Sequence, residues 1–180
     1  MSAVQKLYLL SSVHRWNGTD NREEDTTAQH SFYVACITGM LADIYEDTHA
    51  EKINREHLLM TALYHDIAET AISHITYGAK QNSEILKKEV ENIKNEKFES
   101  WCRQIERTDI LNDKNRIVVY KRMVDFADNL DAWMHCKKEV EKGNYAMKEL
   151  YENQKIGLLQ KVRTYDWAEK FYQKHLLDLL

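Results

Sequence analysis

The chain contains no proline and only five glycines among its 180 residues. Proline and glycine interrupt helices most readily, and turn-rich β folds depend on them. Their scarcity favours long, uninterrupted helices and argues against a β fold. The length fits one domain better than two, because domains commonly hold about 100–200 residues. We expect one all-α domain over residues 1–180, built from five to seven helices.

Hydrophobic periodicity and capping residues indicate where the first helices begin. Residues 3–13 carry apolar side chains at helical spacing, and the polar stretch 15–25 that follows is typical of a loop. Thr26 and Gln29 fit a capping box, with a hydroxyl at the N-cap and an amide three residues later. A long helix is therefore predicted to begin near Thr26, with His30 as the first member of its buried face.

The rest of the chain continues the helical pattern. Asn54 is predicted to cap a helix that runs to about residue 71, and residues 83–106 have the pattern of a charged amphipathic helix. Asp113 is predicted to cap a long helix over residues 114–142. One or two closing helices would complete the domain.

Charge, cysteine content and hydropathy exclude several classes of protein. The net charge of −4 provides no broad basic field for a nucleic-acid duplex. The three cysteines, Cys36, Cys102 and Cys136, form no C-x-x-C pair, which predicts reduced thiols rather than disulfides or a zinc knuckle. No apolar run approaches the roughly 18 residues of a membrane span, and no signal peptide is evident. A cytoplasmic protein without membrane contact is expected.

The segment LYHDIAET, residues 63–70, places an imidazole and two carboxylates in an apolar helix. Positions i and i+4 share a helix face, so His65 and Glu69 should stack one turn apart, with Asp66 beside them. Burying such groups is unfavourable unless a hydrogen bond, an ion pair or a metal compensates. A lone histidine there would usually be a satisfied core or capping residue, but the two acidic neighbours favour a metal site.

Two further helices supply partners for this segment. His30 lies in line with a buried face and Asp128 follows apolar neighbours, whereas Asp125 is typical of a solvated face and Asp131 is ambiguous. Two imidazole nitrogens and two carboxylate oxygens from three helices would form a site for a divalent transition metal. Such an ion lowers the pKa of bound water toward 7, and Glu69 would then be placed as the general acid or base.

The order His30, His65-Asp66, Asp128 resembles that of the HD-domain metal-dependent phosphohydrolases. The closer resemblance is to their bacterial 5'-deoxynucleotidase branch, and it covers most of the chain. It is carried by RW at 15–16, TTAQHS at 26–31, ALYHDIAE at 62–69 and ADNLDAWMHC at 127–136. The resemblance implies an HD-type helical bundle that releases phosphate from deoxynucleoside 5'-monophosphates, and it suggests a homodimer.

The resemblance also implies a role for each matching residue. The implied metal ligands are His30, His65, Asp66 and Asp128. Glu69 would position and deprotonate the attacking water, Arg15 would pair with the substrate phosphate, and Trp16 would line the sugar and base side of the pocket. Lys80 would also bind the substrate phosphate. The structural alternatives are a surface salt bridge for Arg15, a core anchor for Trp16 and solvated side chains for Lys80 and His74.

Three departures from the branch bear on the substrate. His74 stands where the branch carries an aspartate that helps the leaving oxygen take a proton, so His74 is the candidate acid unless this step differs. Gln29 replaces the glutamate before the first ligand. Asn17-Gly18 follows the Arg-Trp pair in place of a proline. The metal ligands themselves are intact.

The sequence leaves two alternatives to the monophosphate reaction. Related phage HD proteins remove triphosphate from deoxynucleoside triphosphates with a similar site, and basic residues such as Lys121 or Arg122 near the site would favour that reaction. A helical module that binds nucleotide or metal without turnover is the third hypothesis. The donor set does not choose among Co, Mn, Fe, Ni and Zn, and it suits Mg less well.

Overall fold

The computed structural model describes residues 1–112 and 114–179, without the side chains of residues 77, 81 and 114–116. Regular structure in that part of the chain is helical, and one isolated bridge pairs His14 with Thr26. The α-helices are α1 (Ala3–Leu9), α2 (Thr27–His49), α3 (Arg55–Tyr64), α4 (Glu69–Ile72), α5 (Tyr77–Gln81), α6 (Glu84–Gln104), α7 (Asp109–Asn112), α8 (Lys114–Glu141), α9 (Lys148–Thr164) and α10 (Asp166–His175).

The predicted all-α class agrees with these elements, but the predicted count of five to seven helices is wrong. The additional helices are short: α4 and α7 have four residues each, and α5 has five. A segment of one turn is too short to show a hydrophobic period. Periodicity therefore missed these helices, although it found the long ones.

The helix predicted from Asn54 to about residue 71 is also interrupted. Helix α3 ends at Tyr64, and a turn over residues 65–68 separates it from α4. In this turn the Ile67 N–H donates to the Tyr64 carbonyl and the Glu69 N–H to the Asp66 carbonyl, which is the tighter i to i−3 pattern. His65 and Asp66 therefore lie on a turn rather than inside a continuous helix.

Five helices form the main core. Helices α2, α3 and α8 pack against one another, and α9 and α10 close the bundle against α8 and α2. The largest fully buried apolar side chains of this core are Trp133, Phe126, Phe171, Leu41, Leu58, Met123 and Leu158. Because α2 and α8 are anchored along their length, the side chains that they contribute to the site described below have fixed positions.

The segment between α1 and α2, residues 13–26, lies against the C-terminal half of α8; we call it loop 13–26. The buried carboxylate of Glu139 accepts hydrogen bonds from the backbone N–H groups of Arg22 and Glu23, at 3.1 and 2.9 Å. Asn144 also donates to Glu139, at 2.6 Å. Loop 13–26 is thus fixed to the bundle by polar contacts.

The predicted N-caps of α2 and α3 were confirmed. Thr26 and Gln29 form the predicted capping box, and the Asn54 side chain accepts from the His57 N–H. Asp113, the predicted cap of α8, lies outside the described residues.

The three cysteines are free, with Cys36 exposed. Among the described helices, none combines the length and the apolar character needed to cross a membrane.

Candidate functional site

Three parts of the chain direct ligand atoms to one point. His30 comes from the first turn of α2, His65 from the turn after α3, and Asp128 from the middle of α8. One ligand atom from each of these residues lies within 4.8 Å of the other two. His30 Nε2 is 3.1 Å from Asp128 Oδ1 and 3.3 Å from His65 Nε2. The predicted convergence of helices on a metal site therefore has a geometric basis.

Asp66 stands beside these three residues. Its Oδ2 is 3.4 Å from His65 Nε2 and 3.7 Å from His30 Nε2. Burial acts to raise the pKa of Asp66, but its electrostatic interactions with His65 and with the ammonium of Lys94 hold that pKa well below its usual range. Asp66 is therefore an ionised carboxylate. We call His30, His65, Asp66 and Asp128 together the ligand cluster.

The outer nitrogen of each imidazole is occupied. His30 Nδ1 donates to Asp131 Oδ2 at 2.7 Å, and His65 Nδ1 donates to the Ala62 carbonyl at 2.7 Å. A carboxylate or carbonyl oxygen can only accept, so these contacts place a proton on each Nδ1. They leave each Nε2 directed into the cluster, as metal-binding histidines require. This donor set fits a divalent transition metal.

The charge around His30 favours a cation at its Nε2. Burial and the nearby Arg15 act to lower the pKa of His30, but its hydrogen bonds to Asp128 and Asp131 raise it to about 9. The ring has no exposed surface, so water does not supply this stabilisation. The same carboxylates that favour a proton at this position would favour a divalent ion.

Glu69 and His74 lie together next to the cluster. Glu69 is only 3% exposed, and its Oε2 accepts from Thr27 Oγ1 at 2.7 Å. Its Oε1 lies 3.1 Å from His74 Nδ1. Both oxygens of the predicted base are therefore held in place. His74 is half-buried and lines the same cavity, which places it away from the solvated loop surface that was its structural alternative.

Arg15 and Trp16 join loop 13–26 to this site. Arg15 Nη1 contacts Asp25 Oδ2 at 3.1 Å and Asp131 Oδ2 at 3.2 Å, with the side chain buried. Asp131 therefore contacts both His30 and Arg15. Trp16 has a left-handed backbone, with φ of 62°, and its indole N–H donates to Asp25 Oδ2 at 2.9 Å. The indole stacks on His135, with ring centroids 4.8 Å apart.

A cavity of about 630 Å³ brings these groups to a common surface. Its lining includes Arg15, Trp16, Asp66, Glu69, His74, Lys80, Lys94 and Asp128. The volume lies within the range of small-molecule sites, about 300–1,000 Å³. Lys80 is half-buried there, and burial together with the charge of Lys94 lowers its pKa. Every predicted site residue except His30, which is fully buried, and His65, which lines a neighbouring cavity, lines this cavity.

Some residues of the site were given no role by the sequence. Asp131 was ambiguous, His135 received no role, and Lys94 was counted with a charged helix. On α8 the positions 124, 128, 131, 135 and 139 step by 4, 3, 4 and 4, which is one helix face. That spacing is the signal that could have found Asp131, His135 and Glu139. Lys94 gave no comparable signal, because α6 carries lysines on several faces.

Comparison with known proteins agrees with this geometry. The family model described as 5'-deoxynucleotidase YfbR-like matches residues 3–178. The chain belongs to this family. It is 33% identical to the 4'-phosphooxetanocin A phosphatase of Priestia megaterium, over 98% of this chain and 93% of that protein. It is 30% identical to the 5'-deoxynucleotidase YfbR of Salmonella arizonae, over 77% of this chain and 73% of the relative.

Solved structures show the same fold. An HD-domain phosphohydrolase from Listeria innocua superposes with a TM-score of 0.76 and 20% identity, covering 97% of this chain and 86% of the other. The cyanophage S-2L HD phosphohydrolase DatZ, bound to dA and one catalytic Zn²⁺ ion, gives a TM-score of 0.56 and 15% identity, covering 94% of this chain and 98% of the other. As a member of the YfbR-like family, this chain is a metal-dependent nucleotide phosphohydrolase.

Proposed function

We propose that this YfbR-like chain hydrolyses deoxynucleoside 5'-monophosphates to a deoxynucleoside and orthophosphate. The observation that carries the proposal is the position of the ligand cluster, where atoms of His30, His65 and Asp128 converge beside a cavity that Glu69 and Arg15 also line. The names of the Priestia and Salmonella relatives, a phosphatase and a 5'-deoxynucleotidase, agree with this substrate class.

The ligand cluster would hold one divalent transition metal, of the class Co, Mn, Fe, Ni or Zn. When bound, the ion would act as a Lewis acid on the phosphate and lower the pKa of the attacking water. The Zn²⁺ in the cyanophage enzyme agrees with this class of ion. Mixed imidazole and carboxylate donors suit these metals better than Mg²⁺.

Protein side chains would transfer the protons and bind the phosphate. Glu69 accepts the proton of the attacking water, because Thr27 and His74 fix its two oxygens at the cavity wall. His74 donates a proton to the nucleoside 5'-oxygen as the P–O bond breaks. Arg15 and Lys80 bind the phosphate oxygens, the guanidinium with its planar fork and the ammonium as a point charge.

Trp16 would contact the sugar and base. Its indole is buried against Ala132, Cys136 and Met147 and stacks on His135, yet it also lines the cavity. Trp16 therefore combines the core-anchor role with a surface that a nucleoside can reach. An immobile indole suits stacking or shape selection, because it loses little conformational freedom when the substrate binds.

The assembly and location belong to the same proposal. We expect residues 1–180 to act as one HD phosphohydrolase domain, forming a homodimer in the cytoplasm. The chain would require no nucleic-acid duplex and no membrane for activity.

Triphosphate cleavage is the second candidate reaction. Lys80, Lys87, Lys88 and Lys94 line an adjoining cavity of about 810 Å³ that reaches Asp128, and a longer polyphosphate would find cations there. Of the two basic residues considered from the sequence, Lys121 bonds to Asn95 in a neighbouring cavity and Arg122 lies over the Tyr165 ring.

A product panel tests both reactions. Deoxy- and ribonucleoside mono- and triphosphates are incubated with Mn²⁺, Co²⁺ or Mg²⁺, with an EDTA control, and the released phosphate species is identified. Orthophosphate from deoxynucleoside monophosphates, absent with EDTA, supports the proposal. Tripolyphosphate from a triphosphate supports the second reaction, and no product with any metal refutes both.

A further inference from the structure

Lys94 differs in its surroundings from other lysines of α6. Its Nζ lies 2.5 Å from Asp66 Oδ1, and 23% of its side chain is exposed. Lys87 and Lys97 on the same helix pair with glutamates of α6 and are 54% and 43% exposed. Lys94 therefore contacts the ligand cluster instead of lying along its own helix.

The contact divides the two oxygens of Asp66. Oδ2 faces the Nε2 atoms of His65 and His30, at 3.4 and 3.7 Å, while Oδ1 faces Lys94. The imidazoles show the same division, since an outer partner occupies each Nδ1 and each Nε2 points inward. Lys94 therefore contacts the outer oxygen of Asp66, as Asp131 contacts the outer nitrogen of His30. Such outer partners fix the orientation of metal ligands.

The charge of Lys94 suits this contact. A lysine side chain is an ammonium at neutral pH, and the Nζ of Lys94 lies within hydrogen-bond distance of the carboxylate of Asp66. An ammonium that donates to Oδ1 restrains rotation of the carboxylate about its Cβ–Cγ bond. Without it, Asp66 could turn and present both oxygens to a bound ion.

We propose that Lys94 is a positioning residue that holds the outer oxygen of Asp66, so that Asp66 offers a single oxygen to the metal. The inference rests on the proposed metal-dependent function and extends it to a residue of α6. Lys94 acts through Asp66 and does not itself react with the substrate. The proton-transferring groups are still Glu69 and His74.

The test is Co²⁺ binding, which is measured by equilibrium dialysis and by the visible absorption of the bound ion. Lys94→Ala should bind Co²⁺ roughly 10- to 100-fold more weakly, the usual effect of losing an outer partner. Its absorption band should change in intensity, because a second oxygen of Asp66 raises the coordination number. Lys94→Arg, which keeps a charged donor, should restore the wild-type band.

Lys121→Ala is the matched control. Lys121 lines the neighbouring cavity with Lys94 and Asp128, but its ammonium bonds to Asn95 rather than to the ligand cluster. This variant should bind Co²⁺ like the wild type.

Three other outcomes have distinct meanings. Wild-type Co²⁺ affinity and absorption in Lys94→Ala would overturn the positioning role. Unchanged Co²⁺ binding with only a raised KM for the nucleotide would also overturn it, because Lys94 would then contact the substrate phosphate. Failure of the wild type itself to bind Co²⁺ would refute the proposed metal site instead.

Discussion

The ligand cluster and loop 13–26 lie next to each other but are built differently. His30 and Asp128 project from long helices whose other faces are buried in the core, so packing fixes their positions. Arg15 and Trp16 project from a loop that is held by hydrogen bonds to α8. We propose a division of function, in which two packed helices and the turn over residues 65–68 hold the ion and the adjacent loop binds the nucleotide. Asp131 links the two, since it contacts both His30 and Arg15.

The largest effect is expected from Asp66→Ala. The change removes a charged donor from the ligand cluster, so metal binding and turnover should be lost together. Metal content after dialysis and phosphate release check this. Asp125→Ala is the control, because Asp125 is 63% exposed on α8 and pairs with Lys161. A metal-loaded, fully active Asp66→Ala would remove Asp66 from the site.

Glu69→Gln should separate chemistry from metal binding. The amide keeps the shape of the buried side chain but cannot accept the proton of the attacking water. We expect kcat to fall roughly 10²- to 10⁴-fold, the usual contribution of a general base, while bound metal stays at the wild-type level. Loss of metal from this variant would make Glu69 a ligand, and an unchanged kcat would exclude it as the base.

Arg15→Lys should affect substrate binding more than metal binding. The charge is kept, but the planar guanidinium is lost, whose Nη1 contacts Asp25 and Asp131 and which would bind the phosphate. Hydrogen bonds to charged groups contribute about 1.5–3 kcal/mol, so KM should rise roughly 10- to 100-fold. Arg22→Lys is the control, because Arg22 lies in the same loop and bonds to the carbonyls of Lys142 and Gly143. Equal KM values for both variants would exclude phosphate binding by Arg15.

The smallest effect is expected from His135→Leu, which removes the ring stacked on Trp16. An aromatic pair contributes about 0.5–1.5 kcal/mol, so KM for the nucleotide should rise roughly 2- to 10-fold. His135→Phe retains stacking and should lie closer to the wild type, although it loses the 2.7 Å contact with Asn21. Identical KM values for the two variants would show that stacking does not position Trp16.

The sequence was sufficient to predict the positions of residues that lie on regular helices. Thr26 began α2 as predicted, and the same periodicity placed His30 and Asp128 on the faces where they meet. Periodicity was insufficient at residues 65–68, because a turn without proline or glycine interrupts the helix there. It was also insufficient for Arg15 and Lys94, whose partners lie 116 and 28 residues away in the chain. Such contacts depend on how the helices pack, which local spacing does not specify.

The division between ligand cluster and loop is tested most directly by the Co²⁺ bound per chain in Asp128→Ala and Arg15→Lys, measured together by equilibrium dialysis. We expect Asp128→Ala to lose the ion, because a cluster ligand is gone, and Arg15→Lys to retain it at the wild-type stoichiometry. Retention of the ion by Asp128→Ala, or its loss from both variants, would contradict this division of function.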